Sequence, residues 1–198
     1  MRRRTFDALM VFAGLTLAAI LLVAGGLLSW GHSFVNSEVS NQLSAQKIVF
    51  PTTSNAEFKA LPPANAAPMK VYAGQLMTNG AQAETYADHF IAYHLTLIGG
   101  GQTYSQLSGK ALAQPNNAKL TGQVEAMFKG TTLRSMLLEA YGFWKMGQIA
   151  GIAAIAAFIG AALMLILSFV GLWHLRTVPE TKEVLTKVAH PAKVSQTA

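Results

Sequence analysis

The sequence predicts an all-α membrane protein: an antiparallel two-helix transmembrane hairpin carrying a small, mostly helical extracytoplasmic domain. Three observations predict it. The runs Leu9–Trp30 and Ile149–Leu175 contain no Asp, Glu, Lys or Arg, and each exceeds the roughly 18–20 apolar residues that span a bilayer as a helix. Basic residues flank both runs on the chain-end side: Arg2, Arg3 and Arg4 precede the first run, and Arg176 follows the second. Between the runs lies a stretch the size of one small domain, with helical periodicity in several places.

Residues 1–8 are predicted to form a cytoplasmic stub and residues 9–30 the first span. The apolar core of that run is about 20 residues, longer than the 7–15 of a removable signal segment, so an uncleaved anchor is expected despite the Arg3-Arg4-Thr5-Phe6 export-like pattern. Past Trp30, Phe34, Val39, Leu43 and Ile48 keep a helical pattern, so the helix should continue outward to about Gln46. Lys47-Ile48-Val49-Phe50-Pro51 turns extended, because the residue before a proline avoids the helical region. Residues 50–68 hold four prolines among Ala, Ser, Thr and Asn, which predicts a linker without regular elements. Met69–Leu76 reads as a short extended piece.

Residues 80–98 are the clearest helix of the outward stretch. Tyr86, Phe90, Tyr93 and Leu97 recur at helical spacing, with Asn79 as the cap and Gly99-Gly100-Gly101 as the stop. Residues 102–117 read as turns with a Tyr104/Leu107 pair. A helix is expected to begin near Asn117, to be interrupted at Gly130, and to restart at Thr132, where it leads without a stop into the second span, residues 148–175. Trp144 and Trp173 lie 29 residues apart, about 43 Å of helix, matching the roughly 40–45 Å between headgroup layers. The tail, residues 176–198, is mixed in charge, carries Pro179 and Pro191, and is predicted to be a disordered cytoplasmic segment.

Composition narrows the function. The formal net charge is +6, but residues 31–147 hold eight Lys/Arg against six Asp/Glu with no basic cluster, so the charge reads as a topology signal rather than a nucleic-acid footprint. By the positive-inside rule both termini are cytoplasmic and residues 31–147 lie outside the cell membrane; the lack of cysteine and of any Asn-x-Ser/Thr site fits a bacterial envelope. There is no cysteine, which excludes disulfides, thiolate metal sites and cysteine nucleophiles.

The candidate sites are few. Glu84, Asp88, His89 and His94 are the one dense group of metal-capable side chains, but positions 89 and 94 on one helix diverge by about 140° and cannot share a metal without a ligand from elsewhere. No metal, cofactor or catalytic residue is therefore assigned. The glycine run 99–101 follows a helix, whereas phosphate cradles follow a strand, so it reads as a helix stop. Arg134 could contact a lipid headgroup or acidic partner, or pair with Glu84, Asp88 or Glu125 within the domain. Gly147, Gly151, Ala153, Ala157, Gly160 and Ala161 form small-residue rows that let helices approach closely, either the other span or a partner. Tyr86, Phe90, Tyr93 and Tyr104 could line a pocket.

Several short landmarks occur in a familiar order: Gln42-Leu43, Lys47-Ile48-Val49-Phe50-Pro51, the helix with Ala87, His89, Ile91 and His94, Gly101-x-Thr103-Tyr104, and Leu133-Arg134-Ser135. Over most of residues 40–140 the chain resembles a family of two-span actinobacterial membrane proteins with an outward helical domain and no established function. Members of such families often carry the label of aromatic ring-opening dioxygenase. That chemistry needs an iron facial triad, which this sequence does not supply. The expected role is a non-enzymatic accessory or scaffold subunit of a larger envelope assembly, with the bilayer and a membrane protein partner or a second copy as its contacts. The alternative is an extracytoplasmic sensor or a module that binds a small ligand or lipid.

Overall fold

The computed structural model describes residues 3–177; the predicted tail segment 178–198 lies outside them. The described residues are helical, with no strand; one isolated bridge pairs Val49 with Leu76. Seven α-helices follow in order: α1 Arg3–Ala45, α2 Ala56–Lys59, α3 Pro63–Lys70, α4 Gly80–Tyr86, α5 Ala92–Gly99, α6 Tyr104–Ala113 and α7 Ala118–Thr177. A single π-helical turn, Ala87–Ile91, joins α4 to α5. Both α1 and α7 are long and apolar enough to cross a membrane.

The chain divides into two compact units, residues 1–28 with 153–198, and residues 29–152. In the first unit only a narrow seam is buried. Val11, Ala18 and Gly25 on α1, and Ala154, Ala161 and Ser168 on α7, recur every seven residues. Gly14, Leu21 and Leu28, and Ala157, Met164 and Gly171, are half-buried beside them. A period of 3.5 rather than 3.6 residues marks a coiled-coil seam. The seam is built from small residues because the backbones come close. A Cβ added at Gly25 would lie 2.9 Å from the Phe158 ring, one at Gly171 2.7 Å from Val11 Cγ2, and one at Gly160 3.3 Å from Leu21. Every other face of these helices presents apolar side chains outward, among them Phe12 at 70% exposure and Phe169 at 63%.

In the second unit, the C-terminal part of α1 contributes Val39 and Leu43 to a core with Phe50, Phe58, Leu61, Met69, Met77, Ile91 and Leu137. Phe50, 1% exposed, is its most buried ring, with its centroid 5.4 and 5.3 Å from those of Tyr72 and Tyr86. A smaller cluster joins Leu107, Leu120 and Met127. Lys47, just past α1, holds the left-handed region at φ 53°, where a side chain is strained and glycine is not.

The local structure departs from the sequence reading in four places. The proline-rich stretch forms α2 and α3: Asn55 Oδ1 accepts from Glu57 N to cap the first, and Pro62-Pro63 opens the second, where proline's fixed φ suits a first turn. Met69, expected in an extended piece, ends up inside α3 and fully buried. Residues 104–113 form a helix because Thr103 and Gln106 make a reciprocal capping box. Gly130 does not interrupt α7; a Cβ there would lie 2.6 Å from Leu95 Cδ2, so the glycine serves packing rather than helix termination. The helix start expected near Asn117 falls at Ala118, where Asn117 Oδ1 accepts from Leu120 N. Gly100 and Gly101 close α5 at φ 58° and 79°, and Gly101 N donates to the Thr96 carbonyl.

Candidate functional site

Within the second unit, the C-terminal stretch of α1 and the part of α7 around residues 133–143 face each other across a groove of about 560 Å³. Phe34, Val35, Val39 and Leu43 line it from α1, and Leu133, Met136, Leu137 and Phe143 from α7. Helical spacing puts these residues on one face of each helix. Glu38 and Glu139 add a carboxylate from each side; Glu38 accepts from Gln42 Nε2 at 2.6 Å. Phe34, Met136 and Phe143 are more than half exposed. The groove is thus an apolar trough with an acidic, hydrogen-bonding rim, in the size range of small-molecule and anchor-residue sites.

A polar network ties the two helices together at one end of this unit. The His32 ring donates from Nδ1 to the Gly147 carbonyl at 2.7 Å. Asn36 Nδ2 lies 3.1 Å from His32 Nε2, and Gln148 Nε2 donates to Asn36 Oδ1 at 2.9 Å. Gly147 and Gly151 make room for it: a Cβ at Gly151 would lie 2.8 Å from His32 Nδ1.

The metal-capable group is dispersed. Asp88 accepts from Arg134 Nη2 at 2.6 Å. The ring of His94 bonds the Phe90 carbonyl through Nδ1 at 2.7 Å. Glu84 faces Tyr141, whose hydroxyl is raised above its ordinary range by burial and by that carboxylate. His89 Nδ1 is buried without a partner. Among the described residues no three His, Cys, Asp or Glu side chains are grouped closely enough to hold a metal ion. The π-helical turn, which carries Asp88 and His89, adds an extra residue to its turn and so shifts the face that the 80–98 periodicity assigns to each side chain.

The aromatic candidates separate into two places. Tyr86, Phe90 and Tyr93 join a chain of ring contacts from Phe50 through His94, packed against the core. Burial raises the Tyr86 hydroxyl, with the Glu57 carboxylate adding to it. Tyr104 lies elsewhere, 5.7 Å from Phe128, on a second cavity of about 400 Å³ that Arg134 also lines.

Of the small-residue rows, Gly147 and Gly151 meet His32 and Val35, Gly160 meets Leu21, Ala161 is fully buried, and Ala153 and Ala157 are half-buried. The small residues Gly14, Ala18 and Gly25 stand out along the first span in the sequence, but Ala154 and Ser168 opposite them do not. The signal that finds them is the seven-residue recurrence of small residues, not the four-residue spacing of single rows.

No protein-family model, curated protein or solved structure matches the chain.

Proposed function

We propose that this chain is an integral membrane protein crossing the cell membrane twice, with both termini cytoplasmic and residues 31–147 outside, and that it acts as an accessory or scaffold subunit. The observation that carries the membrane reading is the first unit: its helices bury only a seam and expose apolar side chains on every other face. In water such a surface would aggregate; in lipid it is the required one. The seam contacts pair rising numbers on α1 with falling numbers on α7, from Val11–Gly171 to Gly25–Phe158, which supports an antiparallel hairpin.

The groove between α1 and α7 supports the accessory role. Its exposed Phe34, Met136 and Phe143 offer apolar anchoring pockets, and Glu38 and Glu139 favour a basic rim on the partner. The partner is therefore an amphipathic helix of another membrane subunit, apolar on one face and flanked by Lys or Arg. A photo-crosslinking residue at Met136, in the full chain in its native membrane, should give one discrete heavier adduct that disappears in the Glu38→Lys/Glu139→Lys variant. Adducts only to lipid would overturn this role and favour the second reading, that of an apolar ligand or lipid held in the same 560 Å³ groove.

A further inference from the structure

Within the first unit a cleft of about 450 Å³ opens along the seam between α1 and α7. Small residues make it. Ala13 and Gly14 on one helix, and Ser168 and Gly171 on the other, leave space between the larger Met10, Leu17, Met164 and Leu167. The close approaches of Gly14 to Ser168 and of Gly171 to Val11 set the register. Continued along the antiparallel pair, that register puts Asp7 about level with His174 at one end of the cleft, and Leu17 about level with Met164 at the other. Beyond Leu17 the seam closes, where Leu21 covers Gly160 and the Phe158 ring covers Gly25. The cleft is therefore graded. Its open end carries a carboxylate and an imidazole, and the rest is apolar apart from the Ser168 hydroxyl. Asp7 is the one acidic side chain among the described residues of this unit. It is partly exposed, and only its Oδ2 is enclosed, which leaves Oδ1 as the oxygen open to a ligand.

We infer that this cleft holds one phospholipid whose headgroup ends in a primary ammonium, of the phosphatidylethanolamine type. The inference rests on the membrane reading above. Depth supports a lipid. Asp7 to Leu17, and Met164 to His174, are each ten residues apart, about 15 Å of helix. That is half of the roughly 30 Å hydrocarbon core, the depth of one leaflet. A partner helix would be met along the whole span, whereas this cleft stops where an acyl chain stops. Charge selects the headgroup. An ammonium brings a positive charge and three N–H donors to the Asp7 carboxylate. The phosphodiester next to it takes an N–H from the His174 ring, and the exposed Arg176 follows two residues on. Basic flanks alone would favour an anionic lipid, but such a lipid would set its only charge against Asp7. A choline headgroup matches the charge and offers no N–H to the carboxylate.

The test is native mass spectrometry of the detergent-purified, delipidated full chain offered equal amounts of phosphatidylethanolamine, phosphatidylcholine and phosphatidylglycerol with the same acyl chains. One phosphatidylethanolamine per chain is expected, at least fivefold over either competitor. Asp7→Asn keeps the shape of the side chain and removes its charge; it should bring phosphatidylethanolamine down to the level of phosphatidylcholine. Ala13 lines the cleft at an exposed position, so Ala13→Phe fills the space without entering the seam and should weaken phosphatidylethanolamine binding at least fivefold. Equal binding of the three lipids, a preference for phosphatidylglycerol, or an Asp7→Asn or Ala13→Phe variant that binds as wild type does overturns the inference. The membrane reading fails separately. A chain recovered from cells in the soluble fraction overturns both, whereas a membrane-bound chain without headgroup preference overturns only the lipid site.

Discussion

Replacing Gly80 with alanine tests the packing of the second unit at its tightest point. Gly80 opens α4 and is buried. A Cβ there would lie 2.7 Å from Trp144 Cγ and 3.0 Å from Cδ2, and closer still to Trp144 Cβ. Ordinary carbon contacts need about 3.5–4.0 Å. Trp144 Cβ is fixed to the α7 backbone and cannot rotate away, so the helices themselves must separate. Overpacking of this kind costs about 1–3 kcal/mol, and the lost flexibility of the unfolded chain returns about 0.4–1 kcal/mol. The net loss is roughly 1–2 kcal/mol, or about 2–8 °C in Tm for a chain of this size. Gly142, also in α7, meets nothing within 4 Å; Gly142→Ala should stabilise by up to about 1 kcal/mol through helix propensity alone. Thermal unfolding in detergent, followed by tryptophan fluorescence, reads both. Should Gly80→Ala melt at or above wild type while Gly142→Ala melts higher, the close approach of α4 to Trp144 is refuted.

Three further outcomes follow from the same structure. Phe50→Ala removes the most buried ring of the core and should lower stability by about 3–5 kcal/mol, seen as loss of cooperative unfolding or a large drop in midpoint. Lys47→Gly relieves a left-handed backbone at φ 53° and should raise stability by up to about 1 kcal/mol in the same assay. Tyr86 is raised above its ordinary 10.0 by burial and Glu57, so the fold favours the neutral phenol. Its contribution is complete below pH 10 and is lost as pH rises through the raised value. Stability should therefore fall in the alkaline range, and Tyr86→Phe should make that fall shallower; an unchanged pH profile would contradict the burial of this hydroxyl.

Much of the helical pattern was legible because long apolar runs and capping residues act locally. The continuous apolar stretch before Trp30, the Asn79 cap and the Gly100–Gly101 stop each carry their own physical signal. The rest depended on tertiary contacts. Gly130 reads as a helix breaker until Leu95 is seen against it. The prolines at 62, 63 and 68 read as linker until Met69 and Phe58 are found in the core, where burial outweighs weak propensity. Arg134 on α7 pairs with Asp88, carried by the π-helical turn, one of three carboxylates that the sequence alone offered it without choosing among them. The two cavities were invisible in sequence because each joins residues far apart in the chain, Phe34 with Phe143 in one and Gln102 with Arg134 in the other.

The central claim is that the two apolar helices lie in lipid with the segment between them outside. Because the chain contains no cysteine, a single introduced thiol reports its own location. Ser54→Cys, on an exposed turn before α2, should be labelled in intact cells by a membrane-impermeant maleimide, and Thr5→Cys should be labelled only after the cells are opened. Labelling of Thr5→Cys in intact cells, with Ser54→Cys protected, would contradict the account.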